Sequence, residues 1–579
     1  MLLSSLKLLL LTPIYAAAIS SDSFHESLTL HPLPDGKLSV LFEFTTYFTA
    51  ANPSSQIPQS HHSLTPPSLL LPLQQNNVSE LTISFVAGRW DQSRSSESGP
   101  LHHESGGGGG EVRGWLRDDM DGRKSSSERW KSVTHALGGL FCAGLGPNDA
   151  GENVMTFGEI YPSVKGDRAN LTHYLLAHPH HHLCTENLTP FLSLLPSKGL
   201  SGLSSLLAQP GIIFSWGFKT EGIEVIMPSS DQPQGRWKGW WEGVVDLVPE
   251  RGTAKRDFST EQLFKRHLPR VFPEAESSVI RVIKPQVGGG HLRLEPTGRS
   301  KEQWVDGELR EVIEWDLLAE TASLSGKYIR ATWEIESEFK YPRIFAKPPI
   351  TISRTIINPL ASDGTLQIKI TNNGADAREA LYSEIWPWWV KGWMSEINVQ
   401  IEGKGDKPEL LSDIEFHPST PPKVSTTTLH LSLTLPQRST IILTIPFTKL
   451  TLKYTEHRPD AERGVEIPSG VLTLLDVAVQ SEPKQTEAKE QSRSDAANSG
   501  RRRIYTDRIL LDVPTPDFSM PYNVIIMSST VMAVFFGLMH GGLTRMWGWV
   551  EVPKQAGINS QPQLTESEVV DEKDGLESL

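Results

Sequence analysis

Cysteine is nearly absent from this chain: Cys142 and Cys184 are the only two in 579 residues. Two thiols are too few for a disulfide scaffold, so packing has to hold the fold. An excess of positive charge is also missing. Lys and Arg number 55 against 68 Asp and Glu, a net charge of −13. This balance argues against nucleic acid as a main partner, because phosphate binding needs clustered Lys and Arg. Catalytic signatures are missing as well. No G-x-S-x-G, H-E-x-x-H or P-loop string occurs. Nothing in the chain looks like an enzyme by itself, and no cofactor is implied. The five glycines ending at Gly110 lack the Lys-Ser/Thr of a phosphate cradle, so Ser93 to Gly110 is expected to be a flexible insertion. His178, His180, His181 and His182 precede Cys184. A thiol beside histidines can bind zinc or act as a nucleophile. Zinc would need a second ligand cluster, and none is evident, so no metal site is assigned. A nucleophile would need a base and an oxyanion donor placed by the fold. The plain reading is a polar loop rich in histidine.

Long apolar runs are scarce, with one exception near the C-terminus. Val524 to Leu543 carries no charge and is mostly Val, Ile, Met, Phe, Leu, Ala and Gly. A helix of roughly 20 such residues spans about 30 Å, the thickness of a bilayer's hydrocarbon core. Pro521 suits the approach to its first turn, Tyr522 marks one interface, and Trp547 and Trp549 mark the other. A transmembrane helix is therefore expected over 522–544. Arg545 favours a cytosolic C-terminal flank. Gly537 and Gly541 form a G-x-x-x-G, a spacing that lets two helices approach closely in lipid, with His540 beside them.

At the other end, Lys7, the apolar run Leu8 to Leu11 and Ala16-Ala17-Ala18 read as a signal peptide over 1–20. Together these features imply type I topology: 21–519 in a lumen and an acidic tail, 550–579, in the cytosol. Three N-x-[ST] sequons, at Asn77, Asn170 and Asn187, all lie on the lumenal side. In an oxidising lumen the two cysteines can pair with each other, or one can pair with another chain.

Leu38 to Phe48 alternates as a strand, with Val40, Phe42, Phe44, Thr46 and Phe48 on one side. A Pro, Ser and His-rich stretch follows from Asn52 to Asn77. Ser127 to Leu145 reads as a helix whose Trp130, Val133, Thr134, Leu137 and Phe141 share a face. Ser125 to Ser127 offer an N-cap, and Cys142 at the far end reads as a small buried apolar residue. From Gly211 on, strand-like patches recur, among them GIIFSWGF, SVIRVIK, TLQIKITNNG, TLHLSLTLP and TIILTIPF. The expected fold is mainly β, with antiparallel sandwich-like lumenal domains over 21–330 and 331–519, some α-helix, and the membrane helix. A polar linker from Ser481 to Arg503 precedes a last extended segment, IYTDRILLDVP. Two tryptophan clusters, Trp237, Trp240 and Trp241, and Trp386, Trp388, Trp389 and Trp393, suit either core packing or a surface that meets lipid or a partner.

Four strings stand apart for their length: HALGGLFCAGL (135–145), LCTENLTPFLSLLPSKGLSGLSSLL (183–207), KYTEHRPDAERGVEIPSGVL (453–472) and VPTPDFSMPYNVI (513–525). In content and order they resemble the PIG-T-type subunit family of the GPI transamidase, in a fungal-like form. The glycine run, the 52–77 stretch, the histidines and the acidic tail look like insertions of this lineage. The resemblance implies a non-catalytic subunit of an endoplasmic-reticulum membrane complex that attaches GPI anchors to proprotein C-termini. It implies a cysteine-protease-like catalytic partner, other membrane subunits, and only indirect contact with GPI lipid and proprotein. It also implies that Cys184, the cysteine preceding T-E-N-L-T-P, forms an interchain disulfide with that partner; it assigns Cys142 no role. The alternatives are a stand-alone receptor that binds lipid or glycan through the tryptophan clusters, and a hydrolase that uses Cys184.

Overall fold

The computed structural model describes residues 22–49, 64–118, 124–145, 170–475 and 502–549, apart from a few short stretches within these ranges. The signal peptide, the first part of the 52–77 stretch, most of the polar linker, Trp547 and the acidic tail lie outside the described residues. The chain divides into two compact units, Met1–Thr515 and Pro516–Leu579. It is mainly β with some helix and one long apolar C-terminal helix, as expected.

The first unit holds two large hydrophobic cores. The first is built on a ten-stranded sheet, which runs from edge to edge as Arg299–Val305, Glu308–Asp316, Ala275–Ile283, Ser23–Pro32, Lys37–Thr49, Gln234–Asp246, Phe218–Ile226, Val78–Ala87, Gly109–Arg117 and Leu171–His178. Every neighbouring pair is antiparallel except Ser23–Pro32 with Ala275–Ile283. The alternation in Lys37–Thr49 plays out as expected: Val40, Phe42 and Phe44 are fully buried on one face. Helices cover that face. They include α1 (Pro67–Gln75), α2 (Ser126–Phe141) and α3 (Thr185–Leu194). Helix α1 arises within the Pro-rich stretch, where Leu69, Leu70 and Leu73 repeat at a helical interval and are buried. Helix α2 starts with a reciprocal box. Ser125 Oγ accepts from the Glu128 amide at 3.2 Å, and Glu128 Oε2 accepts from the Ser125 amide at 3.0 Å. Its predicted apolar face is the buried one. The patch GIIFSWGF is not a strand: Pro210–Ile213 form one helical turn, and the strand begins only at Phe218. Pro210 favours the first turn of a helix.

The opposite face of the sheet carries polar and charged side chains, yet it is not open to water. Residues 97–108 cross it as a strap. Arg310 donates to Glu97 Oε1 at 2.7 Å, and Ser39 Oγ and the amides of Leu101 and His102 donate to Glu242 at 2.7, 3.0 and 3.0 Å. His102 bonds Glu43 at 3.2 Å and stacks on Trp240 with ring centroids 4.1 Å apart. Thr220 donates to Ser105. Glu97, Ser98, His102 and Ser105 are all buried. The expectation of a flexible insertion from Ser93 to Gly110 is therefore wrong. Its polar composition matches a buried polar sheet face rather than solvent. The glycines serve close approach: a Cβ at Gly106 would lie 2.6 Å from Ser84 Oγ, and one at Gly107 2.5 Å from Ser469 Cβ.

The second core is a β-sandwich. A six-stranded sheet that includes Ile350–Ile357, Asp363–Asn372 and Ser439–Lys449 faces a five-stranded sheet that includes Thr427–Leu435, Arg378–Trp386 and Val471–Leu474. Ile350, Ile368, Tyr382, Leu431, Leu443 and Leu472 fill the space between them. Asn372-Asn373-Gly374 is the turn its sequence suggests, with the Gly374 amide donating to Asn372 Oδ1 at 2.9 Å. Arg354 is buried; its Nη1 donates to Glu384 at 2.6 Å and its Nη2 to the carbonyls of Pro468 and Asp507. In the second unit, the C-terminal helix runs Ser519–Thr544, and its Tyr522–Thr544 part is long and apolar enough to cross a membrane.

Glu26 lies on the helix-covered face, where its carboxylate accepts from Ser278 Oγ at 2.7 Å and the Leu203 amide at 3.0 Å. Burial pushes its carboxyl up to about 7, against the pull of those two bonds. A raised carboxylate stabilises the fold below the unfolded value and loses that contribution as pH climbs through the folded one. Glu26→Gln is expected to gain on the wild type between pH 4.5 and 7, by roughly 3 kcal/mol at most, and to level off above. Chemical unfolding of the solubilised chain across that range checks this; a constant difference would contradict it.

Candidate functional site

Cys184 is the N-cap residue of α3, with extended backbone. It is half-buried and free. Its position is set by Asn187, three residues on. Asn187 Oδ1 accepts from the Cys184 amide and from Sγ, each at 3.0 Å. Asn187 Nδ2 donates to the Phe141 carbonyl at 2.9 Å. Phe141 ends α2, and Cys142 caps it in the left-handed conformation, φ 53°. One buried amide therefore ties the end of α2 to the start of α3. It also brings together two of the four distinctive strings, 135–145 and 183–207. Cys142 is exposed, contrary to the buried residue expected, because the helix turns outward at its cap. The two cysteines are not bonded to each other.

The histidines lie beside this site and do different work. His178 is buried at the end of its strand, and His180 approaches Glu466 at 3.8 Å. His182 Nε2 lies 3.3 Å from Arg508 Nη1. No group of three or more His, Cys, Asp or Glu able to hold a metal occurs among the described residues.

The three sequons differ. Asn77 and Asn170 are exposed. Asn187 is 2 % exposed, and Nδ2, the atom a glycan would take, is already bonded to Phe141. The expectation of a glycan at Asn187 conflicts with this geometry. The first tryptophan cluster is core: Trp237, Trp240 and Trp241 are fully buried. In the second, Trp386 and Trp389 are buried and Trp388 half-buried, while Trp393 is 40 % exposed and bonds Thr448. A lipid- or glycan-binding face made by these clusters is therefore contradicted for the first and reduced to one indole for the second. In the C-terminal helix, nothing lies within 4 Å of a Cβ built on Gly537 or Gly541.

The family described as Gpi16 subunit, GPI transamidase component, matches residues 8–258 and 249–569. The chain belongs to this family. The human GPI-anchor transamidase component PIGT is 28 % identical over 557 residues, which cover 93 % of this chain and 92 % of that one. The Schizosaccharomyces pombe PIG-T homolog is 27 % identical, covering 95 % and 94 %, and Saccharomyces cerevisiae GPI16 is 24 % identical, covering 93 % and 91 %. Among solved structures, a carbohydrate-binding module of a Clostridium thermocellum cellulosome scaffoldin matches at TM-score 0.14 and 16 % identity, covering 17 % of this chain and 68 % of that one, a likeness too remote to bear an argument. This Gpi16-family chain is thus a GPI transamidase subunit.

Sequence reasoning missed Asn187 as an organiser. A side chain three residues after an N-cap is the capping-box position, and that spacing was the available signal. Asn187→Ala should cost roughly 2–4 kcal/mol, from the lost cap bond and an orphaned buried carbonyl at Phe141. Thermal unfolding of the purified subunit measures it; a loss below about 0.5 kcal/mol, the range of neutral surface changes, would show that Asn187 is not the tie.

Proposed function

We propose that this chain is the non-catalytic scaffold of a GPI transamidase complex, holding the cysteine-protease-like catalytic subunit that attaches GPI anchors to proprotein C-termini. The carrying observation is Cys184: a free, half-buried thiol on a helix N-terminus whose direction is fixed by a buried bond between two helices. A thiol held in this way can meet a second chain with little further loss of conformational freedom. The relatives are components of the same kind of complex. Its chemistry resides in the partner, and GPI lipid and proprotein meet this chain indirectly. The chain sits in the endoplasmic-reticulum membrane with its first unit in the lumen, Tyr522–Thr544 across the bilayer, and Gly537 and Gly541 facing another membrane subunit.

On a non-reducing gel of the detergent-solubilised complex, the wild type should show a larger band that collapses with reductant and is absent in Cys184→Ser. A single band at monomer mass in both would remove the interchain bond. Glycans are placed at Asn77 and Asn170 only. Asn77→Gln and Asn170→Gln should each speed migration by one glycan, whereas Asn187→Gln should leave it unchanged; a third glycosidase-sensitive step would refute this assignment.

A further inference from the structure

Arg508 lies outside every motif that suggested the function, yet it touches the segment that carries Cys184. Its Nη1 donates to the Pro179 carbonyl at 2.6 Å and to Glu466 Oε2 at 2.6 Å, and lies 3.3 Å from His182 Nε2. Glu466 in turn faces His180. The Arg508 side chain lies along the glycine run: a Cβ at Gly108 would come within 2.5 Å of its Nε. Beside it, the Gly108 amide donates to Ser469 Oγ at 3.1 Å, and Arg503 bonds Glu104 at 2.5 Å, a carboxylate that Arg113 shares. Burial alone would raise Glu104, but Arg503 and Arg113 outweigh it and hold the carboxyl well below its usual range. Segment 179–182 is short of regular structure. Its own amide bonds are the turns His181 to His178 and His182 to His180.

Resting on the scaffold reading above, we propose that Arg508 is a positioning residue for the thiol. It clamps 179–182 between the sheet edge and the antiparallel pair Val465–Ile467 and Ile509–Leu511. Cys184, two residues beyond His182, thereby keeps a fixed approach toward the partner chain. Charge-assisted bonds of this length are the strong kind, and the two N–H groups of Nη1 serve Pro179 and Glu466.

The test uses the full chain co-expressed with its partner subunits, in wild type, Arg508→Ala, Arg508→Lys and Glu466→Gln forms. Two readouts are taken from each: hydrogen exchange at 178–184, and the reductant-sensitive linked fraction on a non-reducing gel. Arg508→Ala should raise exchange there by about tenfold, as expected when strong bonds are lost from a segment that opens locally. It should also lower the linked fraction several-fold, while exchange in the strands Lys37–Thr49 and Gln234–Asp246 stays unchanged. Arg508→Lys, which keeps a cation with three donors, should recover most of both, and Glu466→Gln should fall between. A merely structural loss would raise exchange throughout the sheet and would not be rescued by lysine. Unchanged exchange in Arg508→Ala overturns the clamp. Faster exchange with an unchanged linked fraction overturns its role at the thiol. Should Arg508→Ala fail to fold, wild-type values of both readouts in Glu466→Gln and Arg508→Lys overturn the proposal. A wild type without any linked band overturns the scaffold bond itself, a result separable from the clamp because exchange still reports on the loop.

Discussion

The first core depends on a largely covered polar layer, in which Glu242 is fully buried and Glu43 and Lys238 keep about a quarter of their side-chain surface exposed. Glu43, Lys238 and Glu242 stand on the face of the ten-stranded sheet away from the helices, where an antiparallel sheet often meets solvent. Here the strap covers it, so every charge needs a fixed partner. Glu43 and Lys238 hold one another at 2.6 Å. Burial alone would raise the Glu43 carboxyl and lower the Lys238 amine; the pair reverses both. Glu242 has no cation against it and is held up by burial, with two strap amides and Ser39 supplying its bonds. The strap and the sheet face are therefore complements. Removing one partner leaves a buried charge, which is far more costly than removing both.

That layer also joins the cores. The strap enters near Trp90, where Gln92 accepts from the Ile352 amide of the sandwich, and it leaves through the glycine run against Ser469 and Arg508. Leu175 of the edge strand packs with Leu381 and Val471 of the sandwich, which shields the sheet edge there. The two hydrophobic cores thus meet across a mixed seam in which the strap provides the polar half.

Period-two and period-3.6 patterns carried the elements that pack one apolar face: Leu38–Phe48, α2 and the long strands of the sandwich could all be read before any coordinates. The long apolar C-terminal helix was as plain, since an uncharged run of that length stands out from everything else in the chain. What failed had a common cause. Ser93 to Gly110 and residues 64–77 have the composition of linkers, but composition reports solvation only when the surroundings are water. The polar residues of the strap are solvated by protein instead, and alternation in Val78–Ala87 gives no sign that both of its faces are covered. Asn187 shows the same limit at a single residue. Its sequon is real as a pattern, yet its amide is committed to Phe141 by the meeting of two segments distant in sequence. Cys184 itself was visible through the string around it, whereas Arg508 needed the fold, because its partners lie 42 and more than 320 residues away.

The strand Gly109–Arg117 orders the site in space. At its end, the Arg117 amide bonds the Asn77 carbonyl and the Asp118 amide bonds the Asn170 carbonyl, so the two exposed sequons share a corner. At its start, Gly110 pairs with His178, from which the chain runs through the clamp to Cys184. Helix α2 runs the opposite way to this strand, from Ser126, bonded to Tyr174 near the sequon corner, to Cys142 at the thiol end. Nine residues of strand separate the two ends, roughly 26 Å at about 3.3 Å per residue. A bulky, hydrated group on Asn77 or Asn170 would therefore be attached at the far end of the strand from the thiols. Cys184, Cys142 and Arg508 thus gather at the end of the strand opposite the two exposed sequons.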